Sequence, residues 1–222
     1  MRIESQGCGP GMDGTCSKPL LDVYRYGGLV PSRVVPLPTT LPRLVLVSST
    51  TGFAVGGFKS NGENFNYGSL YVTTNDASTW RQVASSCEKG RITNATMSTT
   101  SMLFLYCLVG SSTSTTEQAK LYSSTNGGAT WQQHGGVTQN GMTLASNSTG
   151  TTLWEFNEKG QLLQSDNTGR TWTRVAEVSR PRNGNGYTDP IVTTYGTTAA
   201  WYAELGHGIY RTLNGTTWKL IS

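Results

Sequence analysis

Two stretches of this sequence concentrate side chains that could do chemistry. Residues 59 to 68 carry Asn61, Glu63, Asn64, Phe65, Asn66 and Tyr67, aromatic faces and amides suited to a hydroxyl-rich ligand. A sugar ring stacks on such a face while the amides bond its rim. Residues 176 to 189 carry Arg180, Arg182, Tyr187 and Asp189, where guanidinium forks can hold a carboxylate or another anion. The plainer readings are a polar hairpin capped by its own Asn side chains, and a basic loop jointed at Gly184 and Gly186. An acid and base pair for glycoside cleavage can be drawn from Glu63, Glu155, Glu158, Asp189 or Glu204, but spacing along the chain selects none of them.

The remaining reactive types say less. His134 ends a strand beside Gly135-Gly136 and His207 lies in a Gly-His-Gly turn. Without clustered acidic or Cys partners both read as surface residues rather than metal ligands. No metal and no other cofactor is expected. Cys8, Cys16, Cys87 and Cys107 form an even set without the paired spacing of a zinc site, which favours disulfides Cys8–Cys16 and Cys87–Cys107 over free thiols.

Short strands must position these groups. The 222 residues include 33 Thr, 22 Ser and 27 Gly against 14% charged residues, a balance that favours strands and tight turns over surface helices. The net charge of +4, from 17 Lys and Arg against 13 Asp and Glu, gathers into no basic run, so nucleic acid is not an expected partner. No stretch approaches the roughly 18 apolar residues of a membrane helix, and Met1 to Ser17 lacks the apolar core of a signal peptide. We therefore expect a soluble chain without membrane insertion, with any export signal or anchor removed. Low charge and Thr, Ser and Asn richness suit an extracytoplasmic protein, either secreted or the exposed ectodomain of a larger one. Asn94, Asn147 and Asn214 begin Asn-x-Thr or Asn-x-Ser/Thr patterns, which matter only in a host that glycosylates them.

An internal repeat organises the chain. Aligned on tryptophan, the copies read Thr73-Thr74-Asn75-Asp76-Ala77-Ser78-Thr79-Trp80, Ser124-Thr125-Asn126-Gly127-Gly128-Ala129-Thr130-Trp131, Ser165-Asp166-Asn167-Thr168-Gly169-Arg170-Thr171-Trp172 and Arg211-Thr212-Leu213-Asn214-Gly215-Thr216-Thr217-Trp218. The Trp-to-Trp spacings are 51, 41 and 46 residues, and a period in the forties with four strands per unit is the sequence pattern of a propeller. The copies resemble the Asp-box, or BNR, repeat Ser-x-Asp-x-Gly-x-Thr-Trp of sialidase-like propellers, sortilin-type receptors and Ycf48-type photosystem assembly factors. That resemblance implies a hairpin between the third and fourth strands of each blade, shaped by Asn75, Asn126, Asn167, Gly128, Gly169 and Gly215, with Trp80, Trp131, Trp172 and Trp218 packed between blades. Two departures stand out: Asn replaces the acidic residue in three copies and Leu213 in the fourth, and Ala77 stands for Gly in the first.

With the repeats as anchors we expect an all-β, propeller-like array of about four to five four-stranded blades. The blades cover about 41–84, 85–135, 136–176 and 177–222, preceded by an N-terminal leader, 1–40. The leader reads either as a partial blade, with strands at 22–28 and 32–37, or as an extended Pro-rich arm. Closure could come from a small ring, from further blades of a longer protein, or from homo-oligomerisation; a five-bladed ring is the favoured solution. In an up-and-down blade the second-to-third-strand loops and the interblade loops lie opposite the Trp turns, which makes that face the candidate site, with Asn64, Phe65, Tyr67, Arg180, Arg182, Tyr187, Asp189 and Glu204 as its binding residues. Cys87 and Cys107 would brace it, and Trp154 and Trp201 would pack between blades.

Sialidase-like catalysis would require an arginine triad, a Tyr nucleophile with a Glu partner and an Asp acid/base, and the family also carries an early Phe-Arg-Ile-Pro segment, which is missing here. Arg91, Arg180, Arg182, Tyr187, Tyr202, Glu204 and Asp189 offer the types without the spacing. The expected function is accordingly a non-catalytic binding module for a glycan or protein partner. A sialidase-like glycoside hydrolase and a Ycf48-like assembly factor are the alternatives.

Overall fold

The structure is a computed structural model that describes residues 2–6, 20–24, 33–36, 43–46, 51–56, 69–85, 87, 90–99, 101–109, 118–134, 141–157, 161–177, 191–195, 199–204, 208–213 and 217–221. These residues form strands and turns throughout. β1 (Arg2–Gln6), β2 (Leu20–Tyr24) and β3 (Arg33–Pro36) make a three-stranded antiparallel sheet. Four four-stranded sheets follow: β4 (Arg43–Leu46), β5 (Gly52–Gly56), β6 (Ser69–Thr73) and β7 (Arg81–Val83); β8 (Gly90–Met97), β9 (Leu103–Val109), β10 (Gln118–Ser124) and β11 (Gln132–His134); β12 (Gly141–Ser146), β13 (Leu153–Asn157), β14 (Gln161–Ser165) and β15 (Thr173–Glu177); β16 (Ile191–Tyr195), β17 (Ala199–Glu204), β18 (Gly208–Thr212) and β19 (Trp218–Leu220). In each, strands pair antiparallel in chain order, the up-and-down meander expected of a blade.

The Trp turns that join third to fourth strands share one hydrogen-bond pattern. In the third copy Asn167 Oδ1 accepts the Thr171 amide at 2.9 Å and the Ser165 hydroxyl at 3.0 Å, while Asn167 Nδ2 donates to Thr171 Oγ1 at 2.8 Å. The Ser165 hydroxyl in turn accepts the Gly169 amide at 2.8 Å. Asn126 with Ser124 and Thr130, and Asn75 with Thr73 and Thr79, repeat these bonds. One amide side chain thus ties together a turn that the backbone alone closes poorly, the known use of Asn in turns.

That turn needs two consecutive left-handed residues, where the sequence pattern led us to expect one glycine. The pairs are Asp76 and Ala77 (φ 59° and 58°), Gly127 and Gly128 (68° and 87°), and Thr168 and Gly169 (58° and 86°). The branched Thr168 adopts this conformation at a cost of about 1–2 kcal/mol, carried by the bonds around it. Gly169 has a second reason to lack a side chain, because a Cβ there would lie 2.1 Å from Leu121 Cδ2 of the neighbouring sheet.

The chain divides into two compact units, Met1–Ser85 and Ser86–Ser222. In the first, Phe53, Leu70, Val72, Ala77 and Val83 are buried. In the second, β12 lies between β8 and β16, and apolar layers fill the space between successive sheets. Phe104, Tyr106 and Leu121 meet Leu144 and Leu153, with Trp172 packed against them. Ala145, Trp154, Phe156 and Leu162 form the next layer, covered by Val175, Ala176 and Trp218. Trp172 and Trp218 pack against these layers, and Trp154 lies within one, its Nε1 donating to Gln164 Oε1 at 3.1 Å. The side chain of Trp201 and residue Gly215 lie outside the described residues.

Urea melts of two neighbouring substitutions check this account. Thr168→Gly relieves left-handed strain and gives back part of it as unfolded-chain entropy, so stability rises by about 1 kcal/mol. Gly169→Ala adds strain and a clash with Leu121, and costs about 2–4 kcal/mol.

Candidate functional site

In every four-stranded sheet the connection between second and third strands lies at the end away from the Trp turn. For the second unit these ends coincide. Ser98 donates to Ser146 Oγ at 3.0 Å, Thr96 lies 3.4 Å from the same oxygen, and Thr194 Oγ1 donates to the Ser146 carbonyl. Ser98, Ser146 and Thr194 each stand at or just after the C-terminal end of a first strand, so β8, β12 and β16 run the same way. The last residues of β9, β13 and β17, Val109, Asn157 and Glu204, accordingly gather at the opposite end.

Asn64, Phe65, Tyr67, Arg180, Arg182, Tyr187 and Asp189 fall in connections outside the described residues. Glu204 is the last residue of β17, paired with Gly208 where the chain turns at 205–207, and its side chain lies outside the described residues. Cys8, Cys16 and His207 lie outside them too, as do the side chains of Arg91 and Tyr202.

Several described groups shape this end of the sheets. Cys87, shortly before β8, is disulfide-bonded to Cys107 near the end of β9, with Cα atoms 5.4 Å apart and a sequence separation of 20. The bond clamps the segment entering the sheet onto its second strand. Asn157 Nδ2 donates to Gln161 Oε1 and Asn157 Oδ1 accepts the Gln161 amide, both at 3.1 Å, which closes the mouth of connection 158–160. β8 and β12 both carry an irregularity here, just before Asn94 and just before Thr143. Such bulges re-aim side chains at strand ends. Asn94 and Thr143 are both 2% exposed, and Asn147 is also buried, so neither Asn94 nor Asn147 offers its amide for glycosylation.

A buried pair that sequence reasoning missed joins two sheets below this end. Tyr106 of β9 donates its hydroxyl to Glu155 Oε2 of β13, and both residues are 0% exposed. Burial, and secondarily the Glu155 charge, hold the Tyr106 phenol well above its ordinary range. Tyr106 is therefore a neutral donor at ordinary pH and not an oxyanion nucleophile. Glu155, drawn above as one carboxyl of a glycosidase pair, has no solvent-facing surface on which to meet a glycoside. The reading of Glu155 as an acid or base is corrected accordingly: its role is to bond across the sheets.

His134 requires a second correction. Rather than a surface residue it is 5% exposed, and its Nε2 lies 2.6 Å from Ser123 Oγ. Burial, aided by the positive charge of Arg170 in the next Trp turn, lowers its pKa. A neutral imidazole accepting the Ser123 hydroxyl fits both facts. The pair reads as a packing contact. Among the described residues no group of three His, Cys, Asp or Glu could hold a metal ion, and no helix is long and apolar enough to cross a membrane.

No family model matches the sequence, and no curated protein matches it. Among solved structures, the chain is similar to the GH74 xyloglucanase from Xanthomonas campestris, with a TM-score of 0.52 and 15% identity over 78% of this chain and 23% of that one. Ycf48 from Cyanidioschyzon merolae aligns at 0.45 with 19% identity over 64% of this chain and 40% of its own. Ycf48 bound to a D1 peptide aligns at 0.46 with 14% identity over 85% and 69%. Global scores this low carry no argument from the last two. This chain thus spans well under half the length of the first two structures.

Three substitutions test the buried chemistry. Folding lowers the His134 pKa, so the unfolded chain binds that proton more tightly; stability is full above about pH 6.5 and falls as pH drops through the folded value. His134→Gln flattens the slope of melting temperature between about pH 7 and pH 5. Tyr106→Phe removes the hydroxyl from buried Glu155 and costs about 1–3 kcal/mol in a denaturant melt. Replacing Cys87 and Cys107 together by Ser costs about 3 kcal/mol, the entropy of a loop this short, read as the same loss on reducing the parent protein. The four-stranded sheets of this chain are blades of the β-propeller kind.

Proposed function

We propose that the chain is a non-catalytic, extracytoplasmic binding module that recognises a glycan or a protein partner through the loop end opposite the Trp turns. The observation that carries this reading is the division of polar chemistry between the two ends. At the Trp turns, Asn75, Asn126 and Asn167 spend their amides on their own backbone and on Thr79, Thr130 and Thr171. In sequence, the connections away from the Trp turns carry Asn64, Phe65 and Tyr67 in the first unit and Arg180, Arg182, Tyr187 and Asp189 in the second, and the described sheets of the second unit are held by the Cys87–Cys107 bond and the Asn157–Gln161 pair. Rigid scaffolds place recognition on such loops.

The same hydrogen-bond pattern supports reading the Trp turns as Asp boxes in which Asn does the work of the acid. A disulfide suits an oxidising, extracytoplasmic compartment. Among the described residues, the Tyr106–Glu155 pair is buried and so placed for cross-sheet bonding rather than for acid–base work on a ligand.

A glycan array probed with the purified chain tests the proposal. Selective binding to one glycan class is expected, weakened about tenfold or more by Phe65→Ala with Tyr67→Ala, since an aromatic stack contributes about 1–1.5 kcal/mol. A blank array from folded protein moves the reading to a protein partner held through Arg180 and Arg182, with affinity that falls as salt rises. Turnover of a bound glycan would overturn the non-catalytic assignment.

A further inference from the structure

The Trp turns differ in the residue that follows the turn amide. Asn75 precedes Asp76, Asn167 precedes Thr168 and Asn126 precedes Gly127, while the fourth copy has Leu213 in the Asn position. An Asn followed by Gly is the step of a polypeptide most prone to lose its side-chain amide, because no Cβ on the Gly shields its nitrogen from the Asn Cγ. The chain holds six such steps, starting at Asn61, Asn126, Asn140, Asn183, Asn185 and Asn214. Asn126-Gly127 is the one whose two residues both belong to the described residues.

In the folded chain both reacting groups of this step are tied down. Asn126 is exposed to water, but Oδ1 accepts the Thr130 amide and the Ser124 hydroxyl, each at 2.9 Å, and Nδ2 donates to Thr130 Oγ1 at 2.8 Å. The Gly127 amide, which would have to attack the Asn126 Cγ, donates instead to the Ser101 carbonyl at 2.8 Å, in the turn between β8 and β9. A carbonyl oxygen holds that proton without removing it. Gly127 and Gly128 are buried, with φ of 68° and 87°, so the attacking nitrogen reaches the side chain only when the turn opens.

We propose that Asn126 is a site of spontaneous deamidation which the Trp turn of the second repeat keeps closed, so that reaction there records the time this turn has spent open. On opening, the Gly127 nitrogen loses its proton to a solvent base and bonds to Cγ of Asn126. The Cγ–Nδ2 bond breaks and ammonia leaves, which gives a cyclic succinimide. Water then opens the ring at either carbonyl, to aspartate at this position or to its β-linked isomer. The aspartate product rebuilds the turn, because its carboxylate accepts the Thr130 amide and the Ser124 hydroxyl as the amide did, and Thr130 Oγ1 turns its hydrogen to donate rather than accept. The β-linked product adds a backbone atom between β10 and Trp131 and misplaces that side chain. Since reaction requires the open turn, its rate in the folded chain is the unfolded-chain rate multiplied by the open fraction.

Residue-resolved mass spectrometry of the full chain, aged at mildly alkaline pH with and without guanidinium, tests it. In denaturant Asn126 is expected to deamidate well ahead of Asn75 and Asn167, whose following residues carry side chains. In the folded chain Asn126 is expected to react roughly a hundredfold or more slowly than in denaturant, the protection of a turn that seldom opens. Thr130→Val removes the bond from Asn126 Nδ2 and leaves the Asn-Gly step intact. In a chain that keeps the far-ultraviolet spectrum of the parent it is expected to raise the folded-state rate about fivefold, the effect of one lost hydrogen bond on opening, with the rate in denaturant unchanged. Asn126→Asp is expected to melt close to the parent. Equal rates at Asn126 with and without denaturant, no reaction there in denaturant, or a folded Thr130→Val chain that reacts no faster than the parent overturns the proposal. An Asn126→Asp chain that does not fold overturns the rebuilding of the turn.

Discussion

The architecture depends on one small device, an Asn carboxamide that accepts from a backbone amide and a hydroxyl on one atom and donates to a Thr hydroxyl from the other. Asn75, Asn126 and Asn167 each do this. The turn they close contains two left-handed residues in succession, a conformation a chain seldom holds without compensation. Because the amide both shapes the turn and caps it, the residue that follows by five positions always arrives at the same place. That residue is the Trp. Fixing the turn therefore fixes where the Trp of the repeat meets the neighbouring sheet, and Trp172 is held against an apolar layer in this way.

Sheet-to-sheet contact explains which positions tolerate no change. Gly169 lies against Leu121, and Gly150, in the turn between β12 and β13, would place a Cβ 2.7 Å from Met102 Cγ. Both contacts join consecutive sheets of the second unit. Both glycines also have positive φ, 86° and 74°, so backbone conformation and close approach make the same demand. Where only the conformation is demanded, as at Thr168, a branched residue is found.

This arrangement also explains how much could be read in advance. The repeat located every blade strand to within a few residues, because Trp, Asn and Gly or its stand-in recur at fixed offsets and their physical roles are local. β6, β10 and β14 each run up to the first residue of a Trp turn, at Thr73, Ser124 and Ser165. In the first three blades the fourth strand starts only after the Trp, at Arg81, Gln132 and Thr173, because the turn uses the Thr before each Trp as a hydrogen-bond partner. Glu155 and His134 were misread for a different reason. In a sheet with one wet face an acidic residue in Leu-Trp-Glu-Phe-Asn would point to water, but every residue of β13 is buried, since second strands are covered on both faces by neighbouring sheets. Alternation carries no information about exposure in such a strand. His134 shows the same limit at the outer strand, where it is 5% exposed beside Ser123 although Gln132 and Gln133 before it face solvent.

The residues proposed for binding were legible as chemistry and not as geometry, and the reason is the same division of labour. A turn closed by its own side chains can be recognised from eight residues. A loop that recognises something else owes its shape to the frame beneath it, and the frame here rests on pairs that are distant in sequence: Cys87 with Cys107, Tyr106 with Glu155, Ser98 with Ser146. Each pair bonds groups that no local pattern connects, and the last two cross from one sheet to the next. Buried polar bonds of this kind hold two sheets in one alignment, because any slip leaves a carboxylate or hydroxyl without water or partner. Apolar layers alone would permit small displacements at little cost. The polar pairs therefore set how precisely the loop ends of adjacent sheets face one another, which is the property a binding face needs most.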